Sequence, residues 1–409
     1  MSNNASDAAE AFAPWRFIPA ADFGAHLAAL PPVRVHAEEW RTPQAKARLP
    51  HRNPNYVFPE AAFRRFALWW HRGGCAPLYL SGPTGAGKTS LVRQWCSCTG
   101  TPLVCVTARP RMDRRELLGR WIVKPSGGMQ WIDGPAALAW RYGWLLLVNE
   151  FSAAPAEMWV SANDLLEGLP LEVDQTGEVI PRHPRARIVV TDNTRGCESE
   201  APSGYLGRHA QDRSVLDRFW HMRLEGPDEA EEAAALVRCL PPDLQRLPPA
   251  LLQEAARIAA GAAHESRLAP TAAPLGLRSA PMALSRRTTQ RFFELLLCWM
   301  TGEAEIGDAD PVAWAADAAA AESFGRSARA ALLTLLQAHW GDKPRELKAA
   351  LEAWRQSLPN VKCRARPQDS GMLFEKKISG PKAKRPLERA AARADDDSWP
   401  CMEEASLFS

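Results

Sequence analysis

The sequence predicts an α/β protein in which helices cover both faces of a parallel sheet, followed by an all-helical domain. Between residues 61 and 225, short apolar runs alternate with stretches of helical spacing, which is the pattern of a parallel sheet buried on both faces. After about residue 225 the strand-like runs stop, and apolar residues recur at helical spacing. A chain of 409 residues with 46% hydrophobic residues can bury two moderate cores, so we predict two folded domains.

These patterns divide the chain into four segments. Residues 1–60 contain many prolines and are predicted to be irregular, with one turn at NPNY, Asn53 to Tyr56. The α/β domain is predicted over residues 61–225 and the helical domain over residues 226–360. Residues 361–409 lack a sustained apolar period and are predicted to be disordered.

Four compact apolar runs are predicted to be the strands of the parallel sheet. They are PLYLS (Pro77 to Ser81), PLVCVT (Pro102 to Thr107), WLLLVN (Trp144 to Asn149) and ARIVVTD (Ala186 to Asp192). Four later stretches have apolar residues at helical spacing and predict the helices of the second domain. They are EAEEAAALVRCL, PALLQEAARIAAGAAHE, TTQRFFELLLCWM and SARAALLTLLQAHW.

Composition excludes several classes of protein. The nine Cys residues include no pair of CxxC motifs and follow no secretory leader, so we expect reduced thiols, no zinc site and a cytoplasmic location. No segment reaches the roughly 18 uncharged apolar residues that a membrane-spanning helix needs. We therefore expect no membrane association.

Charge is concentrated near the C-terminal end. The net charge is +3, residues 361–393 carry ten Lys or Arg against three acids, and residues 395–404 carry five acids and no base. The remaining body is close to neutral, which argues against a surface for duplex nucleic acid, because such surfaces are strongly basic. The tail is either a solvated extension without function or a tether for a nucleic acid or a partner.

The motif GPTGAGKT, followed by Ser90, predicts a phosphate-binding loop. Its glycines allow the backbone N–H groups to point at the phosphates, Lys88 supplies a charge to the terminal phosphates, and the Thr89 hydroxyl is a ligand for Mg²⁺. The loop lies between a predicted strand and a predicted helix, as this chemistry requires. The predicted nucleotide-binding residues of the loop are Gly82, Pro83, Thr84, Gly85, Ala86, Gly87, Lys88, Thr89 and Ser90.

The strand at Trp144 to Asn149 predicts the catalytic end of the site. In a nucleotide-hydrolysing protein such a run is expected to end in Asp-Glu, but here it ends in Asn149-Glu150. Asn149 is predicted to hold Mg²⁺ through a water, and Glu150 is predicted to activate the attacking water. Since Asn lacks the negative charge of Asp, slow hydrolysis or binding without hydrolysis are both open.

Two β-hairpins are predicted inside the α/β domain. RWIVK and MQWID flank the turn signal PSGG, and a second, smaller hairpin lies in LEVDQTGEVIP. Trp121 and Trp131 of the first hairpin either project toward a partner or a central pore, or pack in the core.

From about Arg48 to Trp340, the chain resembles AAA+ ATPases of the MoxR group, and most closely CobS-like proteins, the motor subunits of aerobic cobalt chelatases. In family terms GPTGAGKT is Walker A, LLLVNE is Walker B, and the RWIVK and MQWID hairpin is the insert in helix 2. NPNYVF is similar to the segment that precedes the core. The resemblance implies a P-loop AAA+ core followed by a helical lid.

The same resemblance implies three further site residues. TDNT places sensor 1 at Asn193, GYLGRHAQDRSVLDRFW places an arginine finger at Arg218, and LSRRTTQRF places sensor 2 at Arg287. Arg286 is the alternative to Arg287, and the family tends to have Pro at that position. Asn193 would orient the attacking water, Arg218 would act on a neighbouring subunit, and Arg287 would couple the lid to the nucleotide. Alternatively, Asn193 has only a structural role in a turn, and Arg218 only forms a surface ion pair with Asp217.

In functional terms, the resemblance implies an ATP- and Mg²⁺-dependent ring, because an arginine finger acts between subunits. The ring is expected to be a hexamer. Such a ring would hydrolyse ATP and remodel a partner protein, with a von Willebrand A-type protein as the expected partner. Two alternatives are a cobaltochelatase motor subunit in cobalamin biosynthesis and a nucleotide-dependent binding scaffold with little hydrolysis.

Overall fold

The computed structural model describes residues 15–37, 40, 42–194, 209–268 and 284–358. The predicted disorder of residues 361–409 and the beginning of the arginine-finger motif, residues 204–208, lie outside the described residues.

The described chain contains a central sheet, three small antiparallel sheets and a series of helices. The strands are β1 (Trp15–Ile18), β2 (Val33–His36), β3 (Leu78–Ser81), β4 (Leu103–Thr107), β5 (Gly119–Val123), β6 (Met129–Asp133), β7 (Leu145–Asn149), β8 (Leu171–Val173), β9 (Glu178–Ile180), β10 (Arg187–Asp192) and β11 (Trp220–Arg223). The helices are α1 (Pro43–Lys46), α2 (Glu60–Arg72), α3 (Lys88–Thr99), α4 (Arg114–Leu118), α5 (Pro135–Tyr142), α6 (Ala156–Ser161), α7 (Asn163–Glu167), α8 (Arg213–Leu216), α9 (Glu229–Arg238), α10 (Pro249–Leu268), α11 (Arg286–Thr301), α12 (Pro311–Ala319), α13 (Arg326–Trp340) and α14 (Lys343–Ser357).

The central sheet has five parallel strands in the order β11-β3-β10-β7-β4. The register aligns Asp192 of β10 with Ser81 of β3 and Thr191 of β10 with Asn149 of β7. The carboxyl ends of these three strands therefore meet at one edge, where ligands bind in open α/β sheets. The predicted fold class and the four predicted strands are confirmed.

Strand β11 is absent from the sequence prediction, which ended the sheet at β10. It pairs with β3 at the edge of the sheet, and of its four residues Met222 is buried while the other three are exposed. An edge strand with this exposure lacks the continuous apolar run that marks a buried parallel strand, which is why WHMR was not predicted.

The prediction that residues 1–60 are irregular is wrong for residues 15–36, whereas residues 47–59 contain no helix or strand. Strands β1 and β2 form an antiparallel pair, and Phe23 and Leu27 between them are buried. Phe23 contacts Phe63 of α2 and Trp95 of α3, with ring centroids 5.1 Å apart in both cases. The hairpin therefore belongs to the core on one face of the central sheet.

The alternation of side chains along the strands divides the core between the two faces of the sheet. Leu145 and Leu147 of β7 face α2, α3 and the β1–β2 hairpin. Leu146 and Val148 of the same strand face the cluster that contains Trp140 of α5 and residues of α4, α6 and α7. Both faces of the sheet are covered, as predicted.

The last six helices, α9 to α14, enclose a core of their own. Phe292, Leu296 and Met300 of α11 are buried in it at the spacing of a helix face, together with Leu336 and Trp340 of α13. A helical region after the sheet is thus confirmed. The exact boundaries near residues 60, 225 and 360 remain predictions.

Both predicted hairpins are present. Strands β5 and β6 pair with Trp121 opposite Trp131, and the two rings make an edge contact with centroids 5.6 Å apart. Trp121 is 44% exposed, whereas Trp131 is half-buried against the core. Trp131 therefore packs against the core, and contact of Trp121 with a partner remains a prediction. Strands β8 and β9 form the second hairpin.

Within the part of the chain that the structure describes, no helix has both the length and the apolar character needed to cross a membrane.

Candidate nucleotide-binding site

The predicted phosphate loop connects the carboxyl end of β3 to the amino end of α3. Gly87 is the N-cap of α3 and has φ 88° and ψ 17°, a left-handed conformation that glycine adopts without strain. No side chain caps this helix end. The N–H groups of its first turn, from Lys88 onward, can therefore donate to phosphate oxygens, and the helix dipole favours an anion there.

Lys88 is buried and lies at the centre of the loop. Its ammonium Nζ donates hydrogen bonds to the carbonyl oxygens of Gly82, at 2.7 Å, and Pro83, at 2.9 Å. It also donates to Oδ1 of Asn193, at 2.8 Å. The charge is thus held between the loop and the end of β10, where phosphate oxygens would compete for the same three donors.

Thr89 and Asn149 are brought together as the sequence predicted. The Thr89 hydroxyl donates to Oδ1 of Asn149 at 2.9 Å, and the Thr191 hydroxyl donates to the same oxygen at 3.0 Å. Thr89 and Asn149 thus present neighbouring oxygen atoms, the ligand type that Mg²⁺ prefers. Neither oxygen is charged, so phosphate oxygens and waters would supply most of the ligands. The pair fits a weakly held Mg²⁺ ion.

Glu150 follows Asn149 with a strained backbone. Its φ is 58° and ψ is 45°, and it is the single non-glycine residue with positive φ among those described. Its half-buried carboxylate accepts a hydrogen bond at Oε2 from the Asn193 side-chain amide, at 3.3 Å. Strained residues of this kind concentrate at functional sites. Lys88, Asn193 and Glu150 therefore form one connected polar chain.

Asp192 is a site residue that sequence reasoning missed. Its carboxylate is buried and accepts hydrogen bonds from the hydroxyls of Tyr79 (2.7 Å), Ser152 (2.9 Å) and Thr194 (2.8 Å) and from the backbone N–H of Asn193 (2.9 Å). It thus ties the segment after Glu150 to the segment that carries Asn193. The sequence does show an acidic residue at the end of an apolar strand, but acidic residues are equally common at the beginning of ordinary turns.

The beginning of helix α11 lies against the phosphate loop. A Cβ atom placed on Gly85 would be 2.9 Å from the backbone nitrogen of Arg286. Arg286 is half-buried, whereas Arg287 is exposed. Burial raises the pKa of the nearby Tyr56 phenol, and the charge of Arg286 opposes that rise. The structure therefore places Arg286, and not the preferred Arg287, beside the loop, because successive helix residues point about 100° apart.

Arg218 is held away from this constellation by contacts within its own chain. Its Nε and Nη2 atoms donate to Oε1 of Glu167 at 2.9 Å and 2.7 Å, and Nη1 donates to the Ser214 carbonyl. The acid that pairs with Arg218 is therefore Glu167 of α7 and not Asp217. None of these described hydrogen bonds reaches Lys88.

Residues 77–209 match the family described as "AAA domain (dynein-related subfamily)", a span that contains the phosphate loop, Glu150 and Asn193. The chain contains an AAA domain. It extends beyond the matched span at both ends, and Arg218, Arg286 and Arg287 lie outside it.

Several curated proteins are similar to this AAA domain. Midasin from Dictyostelium discoideum is 30% identical over 169 residues, which are 41% of this chain and 3% of midasin. Protein NorQ from Paracoccus denitrificans is 30% identical over 164 residues, 40% of this chain and 57% of NorQ. Protein CbbQ from Hydrogenophilus thermoluteolus is 34% identical over 120 residues, 29% of this chain and 44% of CbbQ.

The chain thus matches about half the length of NorQ and CbbQ and a very small part of midasin. Similarity to NorQ, CbbQ and the denitrification regulatory protein NirQ supports the predicted resemblance of this region to the MoxR group of AAA+ ATPases. A closer relationship to CobS-like proteins remains a prediction.

Proposed function

We propose that the chain is an ATP-hydrolysing AAA+ motor that assembles into a ring, expected to be hexameric, and remodels a partner protein. The observation that carries this proposal is the connected arrangement of Lys88, Asn193 and Glu150 at the carboxyl ends of adjacent parallel strands. A site that only bound nucleotide would need the lysine and the loop. It would not need a strained carboxylate bonded to an amide that also contacts the lysine.

In the proposed binding step, the loop N–H groups and the Lys88 ammonium hold the β- and γ-phosphates of ATP. The lysine would exchange its bonds to the carbonyl oxygens of Gly82 and Pro83 for bonds to phosphate. Thr89, directly, and Asn149, through a water, would hold Mg²⁺, which neutralises charge on the phosphates. Arg286, with Arg287 as the alternative, would report nucleotide occupancy to the helical domain.

In the proposed hydrolytic step, a water attacks the γ-phosphorus while the bond to the β–γ bridging oxygen breaks. The Glu150 carboxylate accepts the proton of this water, and ADP and phosphate are released. The Asn193 amide forms hydrogen bonds with both Glu150 and Lys88. It would therefore fix the position of the Glu150 carboxylate relative to the Lys88 ammonium. Asp192 would support this geometry by fixing the backbone on either side.

Replacing Asn149 with Asp is expected to lower the Mg²⁺ concentration needed for half-maximal ATPase activity. The carboxylate keeps the shape of the amide and adds a negative charge within a few ångströms of the ion, which corresponds to about a tenfold change. The measurement is phosphate release during a Mg²⁺ titration at saturating ATP. Asn55→Asp, which makes the same charge change at an exposed turn residue, is the matched control. An unchanged Mg²⁺ requirement would place the ion away from Asn149.

Replacing Arg218 with Ala is expected to leave ATP binding nearly unchanged and to reduce turnover by about a thousandfold, because a guanidinium from a neighbouring subunit stabilises the transferring phosphoryl group. In the proposed ring, Arg218 would exchange its bond with Glu167 for the neighbour's phosphate. Mixing Arg218→Ala with Glu150→Gln subunits should restore part of the activity. In a mixed ring, the intact Glu150 of an Arg218→Ala subunit can lie beside the intact Arg218 of a neighbouring Glu150→Gln subunit.

The mixing experiment uses Arg213→Ala as its control, because Arg213 is an exposed arginine of α8, the helix that ends two residues before Arg218. Arg213→Ala should retain activity without mixing. If exchanging subunits restore no activity, Arg218 does not act between subunits.

The binding scaffold is the second candidate, and Asn149 is the observation that favours it, since the neutral amide weakens the hold on Mg²⁺. The identity of the client remains open. We expect a partner with a von Willebrand A-type domain and a cytoplasmic location, while the cobaltochelatase role rests on the CobS-like resemblance alone. Affinity purification of a Glu150→Gln form with trapped ATP, followed by identification of the bound proteins, tests the partner directly.

A further inference from the structure

A cleft lined by arginine and tryptophan lies at the end of the central sheet opposite the nucleotide site. It is formed by the β1–β2 hairpin, the end of α2 and the residues that lead into β10. Strand β10 begins at Arg187 in this cleft and ends at Asp192 beside Asn193. The cleft therefore lies at the amino end of β10, whereas Lys88 lies at the carboxyl ends of the strands. The residues used below are Trp15, Arg34, Trp40, Trp70, Arg185 and Arg187.

Three of the arginines lie over tryptophan rings. Arg34 is 4.4 Å from the ring centroid of Trp15, and Arg185 is 4.8 Å from that of Trp40. Arg187 lies 5.9 Å from the centroid of Trp70. Such contacts stabilise a guanidinium through its face, while carboxylates accept hydrogen bonds from its edge. Arg34 and Arg187 are the two arginines that the proposed site uses.

Arg187 is the most deeply placed of the three. Its Nε atom is buried and has no hydrogen-bond partner, and its Nη1 bonds to the carbonyl oxygens of Pro184 and Ala186 are long, at 3.4 Å each. Burial and, to a smaller extent, the charge of Arg182 together lower the pKa of Arg187 to about 10. Neither Arg34 nor Arg187 forms an ion pair with any acid among the described residues. A buried guanidinium in this situation is stabilised by an anion.

We propose that this cleft binds the acidic segment of the same chain, Asp395 to Glu404, with a carboxylate between Arg34 and Arg187. That segment, DDDSWPCMEE, carries five acids and no base. Trp399 near its centre can pack at the rim of the cleft, outside the cavity, where Trp15 is 41% exposed. The cavity is about 50 Å³. Since one water needs about 10–15 Å³ by the same measure, this volume matches a carboxylate and is small for a nucleobase.

The length of the connection permits this binding. Between Ser357, where α14 ends, and Asp395 lie 37 residues, which span at most roughly 130 Å when extended. A globular chain of about 360 residues has a radius of gyration near 21 Å. The acidic segment can therefore reach the cleft of its own subunit or of a neighbour in a ring.

The test is photo-crosslinking in the full-length chain, with Trp399 replaced by the photoreactive residue p-benzoylphenylalanine. The expected result is a crosslink to the peptides that contain Arg34 to Trp40 or Trp70 to Arg72. Its yield should fall about tenfold in Arg34→Gln or Arg187→Gln, since each removes a charge-assisted bond. Replacing the three aspartates 395–397 with Asn should have the same effect without touching the folded body.

Arg65→Gln is the matched control, because Arg65 is an exposed arginine of α2 that lies outside both expected peptides and does not line the cleft. It should leave the yield unchanged. Arg34 is exposed, so Arg34→Gln keeps the test valid even if Arg187→Gln does not fold. A crosslink elsewhere, no crosslink, or a yield that neither cleft variant lowers would overturn the proposal. Displacement by a single-stranded oligonucleotide but not by a glutamate-rich peptide would also overturn it and make the cleft a nucleic-acid site.

Discussion

Replacing Lys88 with Ala is expected to abolish measurable binding of ATP, with an affinity loss of about a hundredfold or more, because charge-assisted bonds to phosphate are the strongest that the loop can make. The ammonium already bridges the loop carbonyls and Asn193, so its position does not depend on the nucleotide. The variant removes the charge while the glycines and the helix end remain. Titration with a fluorescent ATP analogue measures the loss.

Lys124→Ala is the control for this result, because Lys124 is an exposed lysine in the turn of the β5–β6 hairpin. It should bind the analogue as the natural protein does. Thermal unfolding of both variants separates lost affinity from lost structure. Equal affinity of Lys88→Ala and the natural protein would mean that residues 82–90 do not hold the phosphates.

Replacing Glu150 with Gln is expected to reduce ATP hydrolysis by about a hundredfold to ten-thousandfold, the usual contribution of a positioned general base. Gln retains an oxygen that can accept the hydrogen bond from Asn193, but it cannot take a proton from water. ATP should therefore stay bound and intact. Phosphate release and nucleotide binding, measured on the same preparation, separate the two effects.

Glu157→Gln is the matched control, since Glu157 is an exposed acid on the next helix, α6. It should hydrolyse ATP at the natural rate. The comparison also decides between motor and scaffold. If the natural protein releases no more phosphate than Glu150→Gln, even with excess Mg²⁺ and its partner present, the motor proposal fails and the scaffold remains.

The sequence predicted the parts of the fold that depend on continuous apolar runs. Strands β3, β7 and β10 are almost entirely buried, and β4 begins with two buried residues, so each of the four contains a compact apolar run. Strands β1 and β11 have four residues each and mostly exposed side chains. Their pairing depends on tertiary neighbours that a local pattern does not contain.

The site was predictable where the chemistry constrains consecutive residues. The site residues come together because they lie at or just after the carboxyl ends of β7 and β10 or at the beginning of α3. They are Lys88, Thr89, Asn149, Glu150 and Asn193. The choice between Arg286 and Arg287 could not be made from sequence, since it depends on the rotation of α11 about its axis. The pairing of Arg218 with Glu167 joins residues 51 positions apart and has no local signal.

The left-handed backbone of Glu150 lowers the stability of the fold at the same residue that supplies the carboxylate for the proposed reaction. A residue with a side chain in this conformation loses about 1–2 kcal/mol relative to the right-handed region, whereas glycine does not. A glycine at position 150 would therefore suit the turn better and would remove the carboxylate. A substitution that relieves this backbone strain is therefore expected to raise the stability of the protein and to abolish the proposed reaction, because it removes the carboxylate that acts as the base.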